Sequence, residues 1–208
     1  MTALVATPTQ VQALVDRQVG GVACGFGHTV IVLVGGECLT CGWNASGQCG
    51  NGSKEDVSSP QAVSKLKGQQ VAHAAAGGGH TAVVTAAGEL MTFGAGSCGQ
   101  LGLGSTGDSL VPARVEGVLR DVCVAAVACG EEFTVAISAE RCVYAFGLNN
   151  VGQLGGSCDS QTRDTPVELT GLRERRIDAC SCTQAQSLAL TGTKVEGLLA
   201  LLVPKYKY

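Results

Sequence analysis

The sequence predicts an all-β protein that is built from a repeated unit, and three observations support this. His28 and His80 are 52 residues apart, and other positions recur at nearly the same spacing. Thirty glycines with only 4% aromatic residues are typical of a protein with many turns, not of a helical bundle. Short runs rich in valine and isoleucine recur between glycine-containing turns, which is the pattern of β-strands. These runs are 29–34, 81–86 and 133–138.

Each unit opens with a loop of the pattern Gly-x-x-(His/Phe)-Thr, which leads into one of these runs. The loops begin at Gly25, Gly77 and Gly130. A glycine that recurs here indicates either a positive φ or a close approach of another group. His28 and His80 recur once per unit and Phe133 replaces them in the third, which is not expected of a catalytic residue. We expect each imidazole to pack at a junction between units, with a ring nitrogen bonded to a neighbouring loop.

A second glycine-rich segment follows in each unit and contains a recurring glutamine. The glutamines are Gln48, Gln100 and Gln153. A proline comes after each segment, at Pro60, Pro112 and Pro166. Proline cannot donate a ladder hydrogen bond, so these positions suit an edge strand or the start of a strand.

The N-terminal segment matches the end of a unit, since Pro8 and Leu14 lie 52 residues before Pro60 and Leu66. Residues 181–187 form a fourth, diverged copy of the loop that opens each unit. The predicted divisions are an N-terminal tail 1–6, a unit end 7–21, complete units 22–71, 72–124 and 125–177, a partial unit 178–191, and a divergent C-terminal tail 192–208.

These motifs resemble the repeats of the regulator of chromosome condensation family. The hallmarks of that family are a Gly-x-x-His-Thr loop and a Gly-Gln-Leu-Gly segment, which stands here at 99–102 and 152–155 and is diverged at 47–50. The resemblance covers residues 7–190. It implies a β-propeller, usually of seven blades, in which each unit forms one four-stranded blade.

The resemblance leaves the closure of the propeller open. Residues 7–21 could complete the blade that contains residues 180–191, which would close a ring of four blades, the lower limit for propellers. Alternatively, the chain is a fragment of a seven-bladed ring, or pairing with another chain completes the ring. The apolar stretch 197–203 is expected to dock on the last blade as a strand or a helix, or to follow an altered reading of the sequence.

Composition excludes several classes of function. A net charge of −3 disfavours binding to nucleic acid or to acidic membranes, and the one dense basic cluster, 173–176, is expected to be a solvated loop. Neither a secretory signal nor a membrane-spanning run is visible. We therefore expect an intracellular protein, cytoplasmic or nuclear, with cytoskeletal or ciliary placement included.

The eleven cysteines allow more than one interpretation. An odd number without a secretory signal argues against a disulfide framework. Cys38 and Cys41 form a Cys-x-x-Cys pair, but they align with Leu90 and Phe93, so we expect buried apolar roles and no metal. Another position of the repeat holds a small residue in each unit, which suggests that it lies on an inner strand near the propeller axis. Its members are Cys24, Ala76, Cys129 and Cys182.

No catalytic constellation or phosphate-binding loop is visible, so an enzyme is not expected and no cofactor is implied. The resemblance implies a non-catalytic protein-interaction scaffold that binds a protein partner through loops on one face. The alternatives are a guanine-nucleotide exchange or regulatory factor for a Ran-like small GTPase, and the targeting domain of a larger ubiquitin ligase or other multidomain protein. For Trp43, packing between blades is the alternative role. The candidate partner-binding residues are Phe26, Trp43, Glu131, Glu132 and Phe133.

Overall fold

The computed structural model describes residues 7–155, 161–191 and 198–202. Its strands form four antiparallel meanders, which we call blades 1 to 4. Blade 1 contains β1 (Val19–Cys24), β2 (His28–Leu33), β3 (Cys38–Gly42) and β4 (Val57–Ala62). Blade 2 contains β5 (Val71–Ala76), β6 (His80–Thr85), β7 (Leu90–Gly94) and β8 (Ser109–Arg114).

Blades 3 and 4 continue the series. Blade 3 contains β9 (Val124–Cys129), β10 (Phe133–Ser138), β11 (Val143–Leu148) and β12 (Thr162–Glu168). Within the described residues, blade 4 has three strands, β13 (Ile177–Cys182), β14 (Ser187–Thr191) and β15 (Leu198–Leu202). Short 3-10 helices lie before blade 1 and between blades: η1 (Gln12–Leu14), η2 (Ser64–Leu66), η3 (Gly117–Leu119) and η4 (Thr170–Arg175). The predicted all-β architecture of four-stranded blades is therefore confirmed for three blades, with a partial fourth.

The first strand of each blade is the innermost one. β1, β5, β9 and β13 contact one another in succession, while the later strands of each blade lie farther out. These strands carry small side chains, as in VAHAAA for β5 and VAAVAC for β9, because space near the axis is limited. The column of Cys24, Ala76, Cys129 and Cys182 ends the four inner strands.

Apolar side chains from adjacent blades form the core. At the junction of blades 1 and 2, Val30 and Cys38 pack with Met91 and Phe93, and Leu66 of η2 belongs to the same cluster. Cys38 is a buried core residue, and burial raises the pKa of its thiol to about 12. The blades thus adhere through interlocking apolar faces, which is the main favourable term in such a fold.

A glycine of one blade makes room for an aromatic ring of the next. A Cβ atom on Gly50 would lie 2.7 Å from Cε2 of Phe93, and one on Gly102 would lie 2.8 Å from Cδ2 of Phe146. Both rings are fully buried. This contact explains why the second glycine-rich segment recurs with the blade period.

The N-terminal segment belongs with blade 1. Residues 7–18 contain η1, whose Leu14 packs on Ile31, Leu33 and Leu39, and the chain enters β1 at Val19. The suggestion that 7–21 completes the blade of residues 180–191 is wrong for the described chain, because residues 7–18 contain no strand, Val19–Cys24 pairs with β2, and the described strands of blade 4 pair only with one another. Among the described residues, packed junctions link only consecutive blades, so the blades form an arc and not a closed ring.

The four predicted unit starts and the predicted start of the C-terminal tail also shift. The inner strands begin at Val19, Val71, Val124 and Ile177, one to three residues before the predicted unit starts at 22, 72, 125 and 178. β15 pairs antiparallel with β14, so part of the predicted divergent tail 192–208 is a strand of blade 4. The predicted tail 1–6 and the remainder of 192–208 lie outside the described residues.

Replacing Gly50 by alanine should destabilise the protein by about 3 kcal/mol, because strain at φ 68° adds to the clash with Phe93. Gly68→Ala is the matched control, since Gly68 also has a positive φ (85°) but has no atom within 4 Å of the added Cβ. It should cost only about 1 kcal/mol. Urea unfolding of both variants measures the difference, and equal losses would show that the ring contact is unimportant.

Candidate interaction face

Two sets of loops emerge on one face of the arc, which we call the loop face. In blade 1, His28 at the start of β2 lies opposite Gly42 at the end of β3, and Gly42 lies opposite Val57 at the start of β4. The β1–β2 loop and the long β3–β4 loop therefore share one end of the blade. The antiparallel topology repeats this arrangement in blades 2 and 3.

A recess of about 340 Å³ opens on the loop face at the ends of the inner strands. Backbone hydrogen bonds join its rim across the blades. The Phe26 amide donates to the Gly77 carbonyl at 3.2 Å, and the Gly78 amide donates to the Glu131 carbonyl at 3.0 Å. The Glu131 amide in turn donates to the carbonyl of Gln184 at 3.2 Å. All four blades thus contribute to one continuous rim.

A buried hydrogen-bond relay fastens each blade to the next beneath this rim. Nε2 of His28 lies 2.8 Å from Oγ1 of Thr81, and that hydroxyl donates to the backbone carbonyl of Gln48 at 2.8 Å. A hydroxyl has one proton, so Thr81 must accept its second bond from an Nε2–H group of the imidazole. His28 is therefore the Nε2–H tautomer. Blades 2 and 3 repeat the relay with His80, Thr134 and Gln100 at 2.9 and 2.8 Å.

The third junction keeps half of the relay. The hydroxyl of Ser187 donates to the carbonyl of Gln153 at 2.9 Å, while Phe133 occupies the place of the histidine. Phe133 is fully buried and packs with Val135 and Leu154. Its predicted role as an exposed partner-binding residue is wrong. Phe133 stands at the first position of its strand, as His28 and His80 do, and the side chain at this position points into the junction between blades.

The first glycine of each loop is required by the ring that follows it. A Cβ atom on Gly25 would lie 2.4 Å from Cε1 of His28, and one on Gly77 would lie 2.3 Å from Cε1 of His80. At Gly130 the distance to Cε1 of Phe133 would be 2.0 Å. None of the three has a positive φ, so close approach is the relevant one of the two predicted reasons.

The recurring glutamines stabilise their own loops with the side chain and the next blade with the backbone. Each Oε1 accepts from the amide two residues earlier, at 2.9 Å in Gln48, 2.8 Å in Gln100 and 3.0 Å in Gln153. All three side chains are buried. In the second role, the backbone carbonyl of the glutamine accepts a hydrogen bond from the hydroxyl of Thr81, Thr134 or Ser187. The sequence does not predict this role, because every residue type has the same backbone carbonyl.

Four of the five candidate partner-binding residues lie on the loop face. Phe26 is 87% exposed on the rim of the recess, and Glu131 is exposed beside it. Glu132 is half-buried. The pKa of the Cys98 thiol, across the blade junction, is raised mainly by the burial of that thiol and secondly by the negative charge of Glu132. Trp43 is 43% exposed, its amide donates to the Gly27 carbonyl at 2.7 Å, and its side chain lies against Gly27.

Acidic residues outnumber basic ones on the described part of the loop face. Asp56 and Asp108 accept bonds from the amides of Asn44 and Gly96 and so stabilise their own loops. Asp108 also pairs with Lys54 across the blade junction at 3.3 Å. The acidic residues are Glu55, Asp56, Asp108, Glu131, Glu132 and Asp164, and the basic residues are Lys54 and Arg163.

The opposite face carries paired charges. Arg173 forms two hydrogen bonds with Glu168, at 2.8 and 2.7 Å, and Arg114 pairs with Glu89 at 2.9 Å. Within the described ranges, no three histidine, cysteine or acidic side chains are grouped to hold a metal ion. The same ranges contain no helix that is long and apolar enough to cross a membrane.

Comparison with known repeats gives matches along most of the chain. The profile of the "Regulator of chromosome condensation (RCC1) repeat" matches residues 35–84, 87–137 and 142–190. A second profile of the same description matches 21–48, 71–100 and 124–153. These ranges overlap blades 1 to 4 and include the loops and relays described above.

Several known proteins are similar over most of the chain. The ultraviolet-B receptor UVR8 of Arabidopsis thaliana is 36% identical over 89% of this chain and 42% of its own length. The probable E3 ubiquitin-protein ligase HERC3 of Homo sapiens is 33% identical over 89% of this chain and 18% of its own length. The chain therefore spans less than half the length of these relatives.

Solved structures share the fold. Human WBSCR16 superimposes with a TM-score of 0.76 at 30% identity, over 85% of this chain and 46% of its own. Prp20p of Saccharomyces cerevisiae, described with its binding to Gsp1p and histones, superimposes with a TM-score of 0.75 at 20% identity, over 86% of this chain and 45% of its own.

Thr81→Val should destabilise the protein by about 3 kcal/mol, because it leaves the His28 Nε2–H and the Gln48 carbonyl buried without partners. Thr29→Val is the matched control. Thr29 occupies the same column in blade 1, and its hydroxyl has no partner among the described residues, so the change should stay within about 0.5 kcal/mol. Denaturant unfolding at low protein concentration compares them, and equal costs would contradict the relay.

Acidification should weaken the junctions that contain histidine. Burial lowers the pKa of His28 from 6.5 to about 4 and that of His80 to about 3, with the charge of His28 adding to the effect on His80. The pKa of each imidazole is lower in the folded than in the unfolded state, so the neutral histidines contribute stability that is fully present above pH 6.5. This contribution is lost as the pH falls toward 4 for His28 and toward 3 for His80. Between about pH 7.5 and 4.5 we expect a loss of roughly 2–3 kcal/mol per histidine.

The double variant His28→Phe/His80→Phe separates this effect from that of the carboxylates. Phe133 already occupies the equivalent position, so the ring is compatible with the junction. Unfolding curves at both pH values should show a smaller loss in the variant than in the unaltered chain. The same loss in both proteins would assign the pH dependence to other groups.

Proposed function

Because the chain belongs to the regulator of chromosome condensation repeat family, we propose that it is a non-catalytic protein-interaction scaffold that binds a protein partner through the loop face. The exposure of Phe26 on the rim of the recess carries this proposal. A large aromatic side chain in water is unfavourable by itself, and aromatic residues are enriched among those that dominate interface energies.

The rigidity of the rim supports the proposal. Cross-blade backbone bonds fix the loops that carry Phe26 and Glu131, and the relays beneath fix the blades. A surface that is already ordered loses little conformational entropy when a partner binds. The second position of the loop differs between blades, being Phe26, Gly78, Glu131 or Gln184, and exposed side chains such as Phe26 and Glu131 then set specificity. At Gly78 a side chain is not tolerated freely, since an added Cβ would lie 2.7 Å from the carbonyl oxygen of Glu131.

The charge of the loop face favours a basic segment on the partner. Glu131 is exposed next to the recess, and an arginine or lysine near it could also stack on the ring of Phe26. Ten cysteines of the described residues are free thiols, which is compatible with a reducing cytoplasmic or nuclear setting as part of this proposal.

A second candidate function is exchange or regulation of a Ran-like small GTPase. It is favoured by the paired acidic residues Glu131 and Glu132 in the loop of blade 3. The corresponding loops of blades 2 and 4 contain no charged residue, with Gly78 and Gly79 in one and Gln184 in the other. Among these short loops the acidic surface is thus confined to one blade, which makes the scaffold the better supported function.

Affinity capture of the tagged chain from its own cell lysate tests both candidates. The variant Phe26→Ala/Glu131→Gln should reduce recovery of the main partner at least about tenfold, since it removes the aromatic anchor and the adjacent charge. Val118→Ala is the control, because Val118 is also surface-exposed but lies on η3 at the opposite face. Quantitative mass spectrometry measures recovery.

Unchanged recovery of the same proteins by the loop-face variant would contradict the proposed face. A nucleotide-free small GTPase as the dominant partner would instead favour the second candidate. Circular dichroism confirms that each variant is folded, so that loss of binding is not loss of structure.

A further inference from the structure

The face opposite the loop face contains a groove beneath the junction of blades 1 and 2. It lies between the β2–β3 turn and the segment that runs from β4 through η2 to β5, and its volume is about 660 Å³. We call it the lower groove; residues 35–38, 62–64 and 66–70 line it. Cys38, Val63 and Leu66 form an apolar floor, and each is only 2–3% exposed. Its size is within the roughly 300–1,000 Å³ of pockets that bind ligands.

In blades 2 and 3, a charged side chain of the protein itself stands where the groove is open in blade 1. Ala62, Arg114 and Glu168 occupy the same position of the fourth strand in the three blades. Arg114 crosses from this strand to the β6–β7 turn, where it pairs with Glu89 at 2.9 Å, and it donates to the carbonyl of Arg120 at 2.8 Å. Ala62 has only a methyl group at this position, which leaves the lower groove open.

The lysine at the mouth of the groove lacks the carboxylate that its equivalent has in blade 3. Lys67 and Arg173 are equivalent, because each directly follows a leucine by which a 3-10 helix packs on the core. Arg173 forms two hydrogen bonds with Glu168, at 2.8 and 2.7 Å. Lys67 has no ion pair among the described residues. Since Glu168 stands at the position of Ala62, the lower groove has the cation of this pair without its carboxylate.

The other charges close to the mouth of the groove do not neutralise this lysine. Glu37 lines the groove, but its carboxylate already pairs with Arg17, which does not line it. Lys65 of η2 adds a further positive charge two residues before Lys67. The mouth of the groove therefore favours an anionic group over a cationic one.

A buried amide oxygen in the groove also lacks a partner. Oε1 of Gln69 is buried and accepts no hydrogen bond within the part of the chain that the structure describes. The equivalent residue of blade 2 is Val122, which packs on the core. An unpaired buried acceptor is costly, and a ligand that brings an N–H group removes that cost. A peptide backbone has such a group beside each side chain.

We propose that the lower groove binds a segment of a partner protein in which an apolar residue adjoins an aspartate or a glutamate. The apolar side chain packs on Val63 and Leu66, the carboxylate pairs with Lys67, and a backbone N–H donates to Oε1 of Gln69. Burial of the apolar side chain supplies most of the affinity, and the ion pair at the mouth selects the acidic residue. The groove and the loop face lie on opposite faces, so this proposal does not depend on the proposed function.

NMR titration of the isotope-labelled protein with short blocked peptides tests the proposal. The probes are acetyl-Gly-Leu-Glu-Gly-amide and its counterparts with glutamine or lysine in place of glutamate. At millimolar concentrations the glutamate peptide should shift the backbone signals of Gly68 and Gln69 and the side-chain amide of Gln69. It should bind about three- to fivefold more tightly than the glutamine peptide, since a partly exposed ion pair contributes modestly. The lysine peptide should bind most weakly.

Three variants of the chain assign the binding to the groove. Ala62→Glu gives blade 1 the side chain that blade 3 has at this position, so it should occupy Lys67 and weaken binding of the glutamate peptide at least about tenfold. Lys67→Gln should abolish the preference for glutamate over glutamine. Lys65→Gln is the matched control, because it removes the same charge from a residue that does not line the groove, and it should keep the preference.

Four results would overturn the proposal. The first is the absence of shifts at Gly68 and Gln69 with every peptide. The second is undiminished binding by Ala62→Glu, with its fold confirmed by circular dichroism. The third is an equal loss of preference in Lys65→Gln and Lys67→Gln, which would assign the effect to the general charge of this face. The fourth is tighter binding of the lysine peptide, which would mean that the groove takes a basic side chain. None of them bears on partner capture by the loop face.

Discussion

A hydroxyl-to-carbonyl hydrogen bond recurs at every described junction between consecutive blades and gives the apolar packing there a specific geometry. It joins Thr81 to Gln48, Thr134 to Gln100 and Ser187 to Gln153. The histidine that adds a second bond is replaced by Phe133 at the third junction without loss of the first bond. Because an unpaired carbonyl in this core would be costly, the hydroxyl favours the one arrangement of the packed blades that keeps this bond.

The same junction separates the structural positions of each loop from the variable ones. Gly25 and His28 are constrained by each other, since any side chain at Gly25 would overlap the imidazole. Phe26 lies between them and faces solvent, with only its backbone held by the next blade. A rigid rim from which the side chain of Phe26 projects into solvent follows directly from this arrangement.

A junction that repeats also makes each exposed end of the arc a defined surface. Every blade presents one face to the blade before it and another to the blade after it, and neither can be buried within one blade. Val19 and Val22 of β1 are exposed because no described blade covers that side of blade 1.

The period, the strand that follows each Gly-x-x-(His/Phe)-Thr loop, and the loops themselves follow from the amino-acid sequence alone, because glycine placement and apolar runs are local properties. The loops that begin at Gly25, Gly77 and Gly130 align without any knowledge of their neighbours in space. Three outcomes required the three-dimensional structure: Phe133 is buried, Leu14 in residues 7–18 packs on blade 1, and Leu198–Leu202 joins blade 4. Those outcomes depend on which face of a strand meets another blade or strand, and such contacts are set by packing between segments that are distant in the chain.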